Sequence, residues 1–326
     1  MSEDEQRARK DRKRRRQTLA RIAHTFFALS LWSIFERLPL PWASAVGGFV
    51  AAHIVYYLPF ARHVRTNTEV IFPGMTSAER DRLIRGILWN VGRTFAEYPH
   101  LGELTDPRSE WVTIRGWDIY EEATRANRPT IFVSGHMANW ELTAGTGARR
   151  GALLTVVYAP RRGAALNRRL NRYRAAMECT LSPRGDAARP LLRSLKQGNC
   201  IGIIFDQRDD DGIAVPFFGI PAPTTPTPAR LSIKFDALIV PVDCRRIRGT
   251  HFEMRFHEPI RPEHYVTAPD PVHAITERMN QHLEAWIRDH PTDWMCRRKR
   301  WAKRPPASSR EAGRLEGPEM DDGILP

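Results

Sequence analysis

Cysteine is scarce in this sequence of 326 residues, which contains four. Cys179, Cys200, Cys244 and Cys296 lie far apart, and no two of them have the C-x-x-C spacing of a zinc or redox site. This spacing excludes a locally encoded metal site and the disulfide framework of a small secreted domain. The chain is therefore expected to work in a reducing compartment, without a bound metal or cofactor.

Acidic residues are also under-represented, since 37 Asp and Glu accompany 50 Lys and Arg and the formal net charge is +13. Such an excess indicates an anionic partner, which could be a nucleic acid, an acidic membrane surface or an acidic substrate. A hydrophobic fraction of 42% and a charged fraction of 27% exclude a disordered or collagen-like chain. The mean hydropathy of −0.45 excludes a polytopic transporter.

The N-terminal region divides into a basic segment and an apolar segment. Between Arg7 and Arg21 the basic residues are opposed by Asp11 alone, so residues 1–21 are predicted to form a disordered arm. Residues 22–60 are predicted to form a retained, helical membrane-anchoring segment. As a helix, Trp42 to Leu58 is about 26 Å long, which is marginal for a hydrocarbon core of about 30 Å. A spanning helix, an interfacial helix and a buried core helix all remain open.

The body of the chain, residues 61–304, alternates short apolar runs with helical stretches. This alternation predicts an α/β domain with a mostly parallel central sheet flanked by helices. Phe252–Phe256 alternates in polarity and is predicted to be an antiparallel edge strand, and the apolar spacing from Ile275 to Ile287 predicts a closing helix. Residues 305–326, rich in Pro, Ser, Gly and acids, are predicted to be a disordered tail. The predicted buried strands are Thr130–Ser134, Ala152–Tyr158, Cys200–Phe205 and Leu238–Val242.

The first of these strands is followed by a histidine and a glutamate in the stretch SGHMANWE. His136 and Glu141 would be about 140° apart on a continuous helix, so they can meet only across a loop-to-helix junction. A carboxylate bonded to one imidazole nitrogen fixes the tautomer and leaves the other nitrogen free to take a proton from a hydroxyl. We therefore expect His136 and Glu141 to form a hydrogen-bonded pair in which the histidine is the general base for acyl transfer. The alternative is a structural histidine beside a capping glutamate.

A second polar group, Asp206 and Gln207, follows the strand Cys200–Phe205. Because working groups gather at the carboxyl ends of strands in open α/β sheets, these residues are also site candidates. Asp206 could orient a base, pair with an arginine or cap the next turn. The consecutive acids Asp209, Asp210 and Asp211 could bind a metal ion, but a run of this kind is more typical of a solvated loop.

Several motifs taken in order make the stretch from His136 to Arg304 resemble the lipid A late acyltransferase family of Gram-negative bacteria. They are SGHMANWE, VYAP, Arg174 at the end of a basic helix, FDQ, VPFFG, the Thr-rich loop and HPTDWMCRRKRWAKRP. Together with similarity near residues 67–73 and 90–92, the resemblance covers roughly residues 20–304. The chain departs from the family's usual residues at Ala159, Thr227, Arg297 and Arg298.

The resemblance implies a glycerolipid-acyltransferase-like fold and a membrane-associated acyltransferase. It implies transfer from an acyl carrier protein or coenzyme A thioester to a hydroxyl of a lipid A precursor. His136 would be the base, Glu141 its partner, and Arg174, Asp206 and Gln207 substrate-binding residues. Because both donors are cytoplasmic, the enzyme is expected on the cytoplasmic face of the inner membrane.

Two other functions stay open. The same machinery could acylate another lipid, such as a mannosylated phosphatidylinositol or an aminolipid. A catalytically silent protein could instead use the basic segments 7–21 and 161–174 to bind an anionic membrane or a nucleic acid. Nucleic acid is the less favoured partner, since the sequence contains no recognised RNA- or DNA-reading motif and its N-terminal charge adjoins an apolar segment.

Overall fold

The computed structural model describes residues 25–59, 61–125, 128–160, 163–295 and 298–301, together with Arg12 and Ala23. The predicted tail and all of the predicted basic arm except Arg12 lie outside the described residues. The helices are α1 (Thr25–Phe35), α2 (Leu40–His53), α3 (Ala61–Ile71), α4 (Ser77–Glu97), α5 (Leu101–Leu104), α6 (Trp117–Arg125), α7 (Glu141–Ala148), α8 (Ala164–Ala175), α9 (Ala188–Lys196), α10 (Thr227–Phe235) and α11 (Pro271–Asp289). The strands are β1 (Val112–Arg115), β2 (Thr130–Ser134), β3 (Leu154–Tyr158), β4 (Thr180–Pro183), β5 (Cys200–Ile204), β6 (Ile213–Phe217), β7 (Ile220–Thr224), β8 (Leu238–Arg248) and β9 (His251–Phe256).

A seven-stranded sheet forms the centre of the fold, in the order β1-β9-β8-β2-β5-β3-β4. Every neighbouring pair is parallel except β8 and β9, which are antiparallel. The predicted α/β class with a mostly parallel sheet is therefore confirmed. The prediction for Phe252–Phe256 was right in direction but wrong in position, because β1 pairs with the outer side of β9 and takes the edge. Strands β6 and β7 form a separate antiparallel hairpin.

Helices cover both faces of the sheet, which explains why its central strands are continuously apolar. On one face, Ile131 and Val133 of β2 join a buried cluster that includes Leu283 of α11, the predicted closing helix. On the other face, Leu154 of β3 joins a second cluster that includes Leu170 of α8. The core is thus two apolar layers separated by the sheet.

Helix α2, in the predicted anchoring segment, packs against α4 through two glycines. A Cβ added at Gly47 would lie 2.5 Å from the Gly92 carbonyl oxygen, and one added at Gly92 would lie 2.1 Å from the Gly47 oxygen. The opposite face of α2 carries Trp42, Val46 and Phe49, whose exposed fractions are 68%, 42% and 55%. Helix α2 is therefore part of the folded domain on one side and an exposed apolar surface on the other.

The described residues contain no single helix long and apolar enough to cross a membrane. The segments Leu40–Tyr57 and Ala61–Ile71 meet the length and hydropathy criteria only together, and they are bent by 87° where they meet.

Candidate active site

The site lies where the two central strands β2 and β5 end. The strands are parallel, and their register pairs Ser134 with Ile204. The amide of Phe205 donates to the Ser134 carbonyl at 3.0 Å, so the two loops leave the sheet side by side. His136 and Asp206, which are distant in sequence, are thereby brought to the same edge of the sheet.

His136 and Asp206 form a direct hydrogen bond. Nδ1 of His136 lies 2.6 Å from Oδ1 of Asp206, and the aspartate side chain is 2% exposed. Burial alone would raise the pKa of Asp206, but the charge and hydrogen bond of His136 and a hydrogen bond from Trp294 outweigh it and lower the pKa. An ionised Asp206 accepts the Nδ1 proton of His136, which leaves Nε2 as the acceptor nitrogen.

Gln207 and Trp140 flank the imidazole. The side-chain amide nitrogen of Gln207 lies 3.2 Å from Nε2 of His136, and the ring centroid of Trp140 lies 4.9 Å from that of the imidazole. The structure therefore brings His136, Asp206 and Gln207 together, as their positions after neighbouring strands suggested.

Glu141 has partners other than the expected imidazole. It is the first residue of α7, accepts a hydrogen bond from Tyr98 Oη at 2.8 Å, and accepts two more from the guanidinium of Arg174, one of them at 2.9 Å. The expected direct His136–Glu141 pair is thus corrected, because the carboxylate bonded to the imidazole is Asp206. The turn between the two residues includes Ala138 at a positive φ of 41°, and the parallel register of β2 and β5 brings Asp206 to the imidazole instead.

The Glu141–Arg174 pair is a buried ion pair beside the site. Burial would raise the pKa of Glu141, but Arg174, Tyr98 and, through space, His136 lower it. In turn, Glu141 raises the pKa of Arg174 despite the opposing effect of burial. Glu141 can therefore influence the imidazole electrostatically, while its hydrogen bonds join α7 to α8.

A cavity of about 840 Å³ adjoins His136. Its lining includes both His136 and Gln207, and also Glu141 and Arg174. Gly202 lies in the cavity wall, packed closely against Val156: a Cβ added at Gly202 would lie only 2.8 Å from Cγ1 of Val156. The size is within the range of about 300–1,000 Å³ typical of ligand pockets, and the apolar wall suits an alkyl chain. Apolar lining side chains include Phe132, Leu154, Val156, Met177, Leu181, Leu191 and Ile203.

Behind the site, a buried polar network fixes the turn that carries His136. The carboxylate of Glu97 accepts hydrogen bonds from Ser44 Oγ at 2.6 Å, Arg246 Nη1 at 2.7 Å and Asn139 Nδ2 at 3.0 Å. The backbone amide of Arg246 also donates to Asp293 Oδ2 at 3.0 Å. The network joins α2, α4, β8 and the C-terminal segment to the turn before α7.

Sequence reasoning did not identify Glu97, Arg246 or Trp294 as part of this arrangement. The indole Nε1 of Trp294 donates to Asp206 Oδ2 at 2.9 Å. Only Trp294 had a usable signal, because it belongs to the C-terminal motif quoted above. Among the described residues, no group of three or more His, Cys, Asp or Glu could hold a metal ion, and Asp209 lies 3.5 Å from Arg184.

Comparison with known proteins adds three findings. The family model of bacterial lipid A biosynthesis acyltransferases matches residues 10–303. A phosphatidylinositol mannoside acyltransferase of Mycobacterium tuberculosis is 25% identical over 256 residues, covering 74% of this chain and 79% of the relative. One from Mycolicibacterium smegmatis is 26% identical over 227 residues, covering 68% and 73%.

A solved structure was also found, the 1-acyl-sn-glycerophosphate acyltransferase of Thermotoga maritima. It is 15% identical, and the match covers 71% of this chain and 97% of that one with a TM-score of 0.32.

Proposed function

Because the chain belongs to the bacterial lipid A biosynthesis acyltransferase family, we propose that it moves a fatty acyl group from a thioester donor to a hydroxyl of a lipid A precursor. The donor is an acyl carrier protein thioester or an acyl-coenzyme A. The observation that carries the proposal is the 2.6 Å contact between His136 Nδ1 and Asp206 Oδ1 beside an apolar-lined cavity of about 840 Å³.

The proposed reaction begins with proton removal. Nε2 of His136 takes the proton of the acceptor hydroxyl as its oxygen attacks the thioester carbonyl carbon. Asp206 stabilises the imidazolium that forms. The tetrahedral intermediate then collapses, the carbon–sulfur bond breaks, and the thiolate leaves with the proton returned by His136. Since a thioester is already activated, the step needs no acyl-enzyme intermediate.

Three other residues support this chemistry. Gln207 lies close enough to Nε2 of His136 to hold the ring or to be displaced by the acceptor hydroxyl. Glu141 adds negative charge near the imidazolium, and Arg174 keeps that glutamate ionised. In this proposal the alkyl chain of the donor occupies the apolar part of the cavity, with its carbonyl near His136.

A second acceptor is favoured by the two relatives described above, which are named phosphatidylinositol mannoside acyltransferases. A lipid A precursor and a mannosylated phosphatidylinositol are both anionic glycolipids with free sugar hydroxyls. The net charge of +13 suits either of them. The two acceptors therefore have to be separated by experiment.

The deciding assay offers purified enzyme each donor with each acceptor in detergent micelles, and mass spectrometry detects the acylated product. We expect product with at least one pair and loss of that product in His136→Ala. The control His273→Ala alters a histidine on α11 and should keep full activity. Folded enzyme that acylates neither acceptor would contradict the proposal. Mass spectrometry of lipids from a deletion strain then identifies the natural acceptor.

The proposed location is the cytoplasmic face of the inner membrane. Besides the exposed apolar face of α2, Phe26 and Phe27 of α1 are 73% and 61% exposed. Aromatic and aliphatic side chains of this kind enter the bilayer interface to a depth of about 5–10 Å. The basic residues near this segment would add attraction to anionic lipids.

Vesicle flotation tests the membrane contact. The double variant Trp42→Ser/Phe49→Ser should float far less with anionic vesicles than the wild type. The control Val266→Ser changes a residue that is 72% exposed on another part of the surface, and it should float normally. Equal flotation of both variants would contradict the assignment of this face. A single reporter cysteine at position 310, resistant to impermeant maleimide in intact spheroplasts, would support the cytoplasmic side.

A further inference from the structure

The C-terminal segment, residues 290–295 and 298–301, is bonded to the turn that carries His136. The amide of Met295 donates to the His136 carbonyl at 2.9 Å, and the amide of Ala138 donates to the Asp293 carbonyl at 2.8 Å. Met137 and Trp294 form an antiparallel bridge between these contacts. The backbone of Trp294 is therefore fixed relative to the imidazole.

We propose that Trp294 is a positioning residue, whose indole N–H holds one oxygen of Asp206 so that the other oxygen faces the imidazole of His136. The distances are 2.9 Å from Nε1 to Oδ2 and 2.6 Å from Oδ1 to Nδ1. Each oxygen of this buried carboxylate thus has a different partner, and rotation of the carboxylate would break both bonds. The inference rests on the proposed function, in which the pair removes the acceptor proton.

The ring of Trp294 sits in an aromatic cluster that restricts its orientation. It is 3% exposed, and its centroid lies 6.0 Å from that of Phe217 at an interplanar angle of 67°. On the same phenylalanine ring, the guanidinium of Arg300 lies 4.9 Å from the centroid. Because the Trp294 ring is held in place, its indole N–H fixes the orientation of the Asp206 carboxylate.

Trp301 provides a natural comparison within the same cluster. Its exposed fraction is 5%, and its ring lies 5.7 Å from that of Phe217. Its indole Nε1, however, donates to the backbone carbonyl of Ile220, at 3.4 Å. Both tryptophans fill the core, but only the indole of Trp294 is bonded to a carboxylate that contacts the histidine.

The hydrogen bond has a chemical consequence for the imidazole. By sharing the charge of Asp206, the indole N–H lowers the proton affinity of the carboxylate, so the proton between Asp206 and His136 stays on Nδ1. Without the donor, negative charge concentrates on Oδ1 and the imidazolium is stabilised. Among the described residues, Glu141 on α7 acts electrostatically on His136, and Arg300 in the C-terminal segment acts on Asp206. Neither residue is substituted in a variant of Trp294.

The test compares Trp294→Phe with Trp301→Phe in the full-length enzyme. Both changes keep an aromatic ring and remove one indole N–H. For Trp294→Phe we expect kcat to fall by roughly 10-fold, the KM for the donor to change little, and the acid limb of kcat/KM to move to higher pH. For Trp301→Phe we expect the wild-type pH profile. Equal losses in both variants with an unmoved acid limb would show that Trp294 has a packing role only.

A measurement on the unaltered tryptophan keeps the inference testable if Trp294→Phe does not fold. In enzyme labelled with ¹⁵N-tryptophan, the indole resonance of Trp294 should shift as the pH is lowered, and the shift should vanish in His136→Ala. A resonance that does not respond to pH would overturn the inference.

Asp206→Asn distinguishes failure of this inference from failure of the proposed function. If the Asp206→Asn enzyme is active, the His136–Asp206 pair does not remove the acceptor proton, and the proposed function itself is contradicted. An inactive Asp206→Asn enzyme together with a Trp294→Phe enzyme of wild-type rate and pH profile would overturn only the role of Trp294.

Discussion

Asp206 and Glu141 are two buried carboxylates that both act on His136, and they differ in the partner that each one holds. Asp206 is bonded to an imidazole, a group that can accept and release a proton during a reaction. Glu141 is bonded to a guanidinium, which stays charged at every pH that the protein meets. The partner of a carboxylate, more than its burial, therefore decides whether the carboxylate can take part in proton transfer.

The same comparison separates the two roles within the site. Burial opposes ionisation of both carboxylates, and a cationic partner lowers the pKa of each. Arg174 makes Glu141 a fixed negative charge that braces α7 against α8. His136 makes Asp206 part of a unit that changes charge during the reaction.

The largest expected effect comes from removing the charge of Asp206. Asp206→Asn preserves the size of the side chain but cannot stabilise the imidazolium, so turnover should fall by about 10²–10⁴-fold. Steady-state kinetics on purified enzyme measures the loss, and circular dichroism establishes that the variant is folded. A variant with more than about a tenth of wild-type turnover would contradict the assignment of Asp206 as the partner of the base.

Glu141→Gln should act mainly on stability. It leaves Arg174 buried without a countercharge, and breaking a buried ion pair in this way costs about 3–5 kcal/mol in the free energy of unfolding. Chemical denaturation in a fixed detergent measures the cost.

The matched control is Glu277→Gln on α11, where the carboxylate is 37% exposed and lies 3.9 Å from His273. That exposed pair should be worth less than about 1 kcal/mol. A loss in Glu141→Gln no larger than the loss in this control would show that the Glu141–Arg174 pair does not stabilise the fold.

Most of the central sheet could be predicted from the sequence, because β2, β5 and the start of β8 are continuous apolar runs. Strands β1 and β4 were missed, since Val112–Arg115 and Thr180–Pro183 are short and mix polar with apolar residues. The edge position of β9 was mispredicted for the same reason. A strand that gains its place only by pairing with a distant segment leaves a weak local pattern.

The sequence predicted which residues belong to the site better than it predicted which of them are hydrogen-bonded to each other. His136, Asp206 and Gln207 were found because each follows a buried strand, and the parallel register brings strand ends together. The His136–Asp206 bond spans 70 positions and the Asp206–Trp294 bond spans 88, so neither has a local signature. The five-residue spacing of His136 and Glu141 indicated the right region of the site but the wrong hydrogen bond.

Two double variants separate the role of Asp206 from the role of Glu141. His136→Ala combined with Asp206→Asn should be little worse in turnover than either change alone, because residues that act as one unit have non-additive effects. His136→Ala combined with Glu141→Gln should lose as much stability, beyond His136→Ala, as Glu141→Gln loses from the wild type, because the Glu141–Arg174 pair does not depend on the imidazole. A stability loss that disappears when His136 is absent would show that Glu141 stabilises the fold through His136.

The smallest expected effect is a pH dependence of stability that separates wild type from Glu141→Gln. The pKa of Glu141 is lowered in the folded protein from an ordinary value of 4.5. The ionised carboxylate therefore contributes its full stabilisation above that value and loses it as the pH falls through the lower folded-state pKa.

Glutamine cannot titrate, and the other carboxylates with lowered pKa values, such as Glu97 and Asp206, are present in both proteins. The difference in unfolding free energy between the two proteins should therefore shrink as the pH falls from about 7 to about 3. Denaturation curves across this range measure it, and a difference that stays constant would mean that the pKa of Glu141 is not lowered by folding.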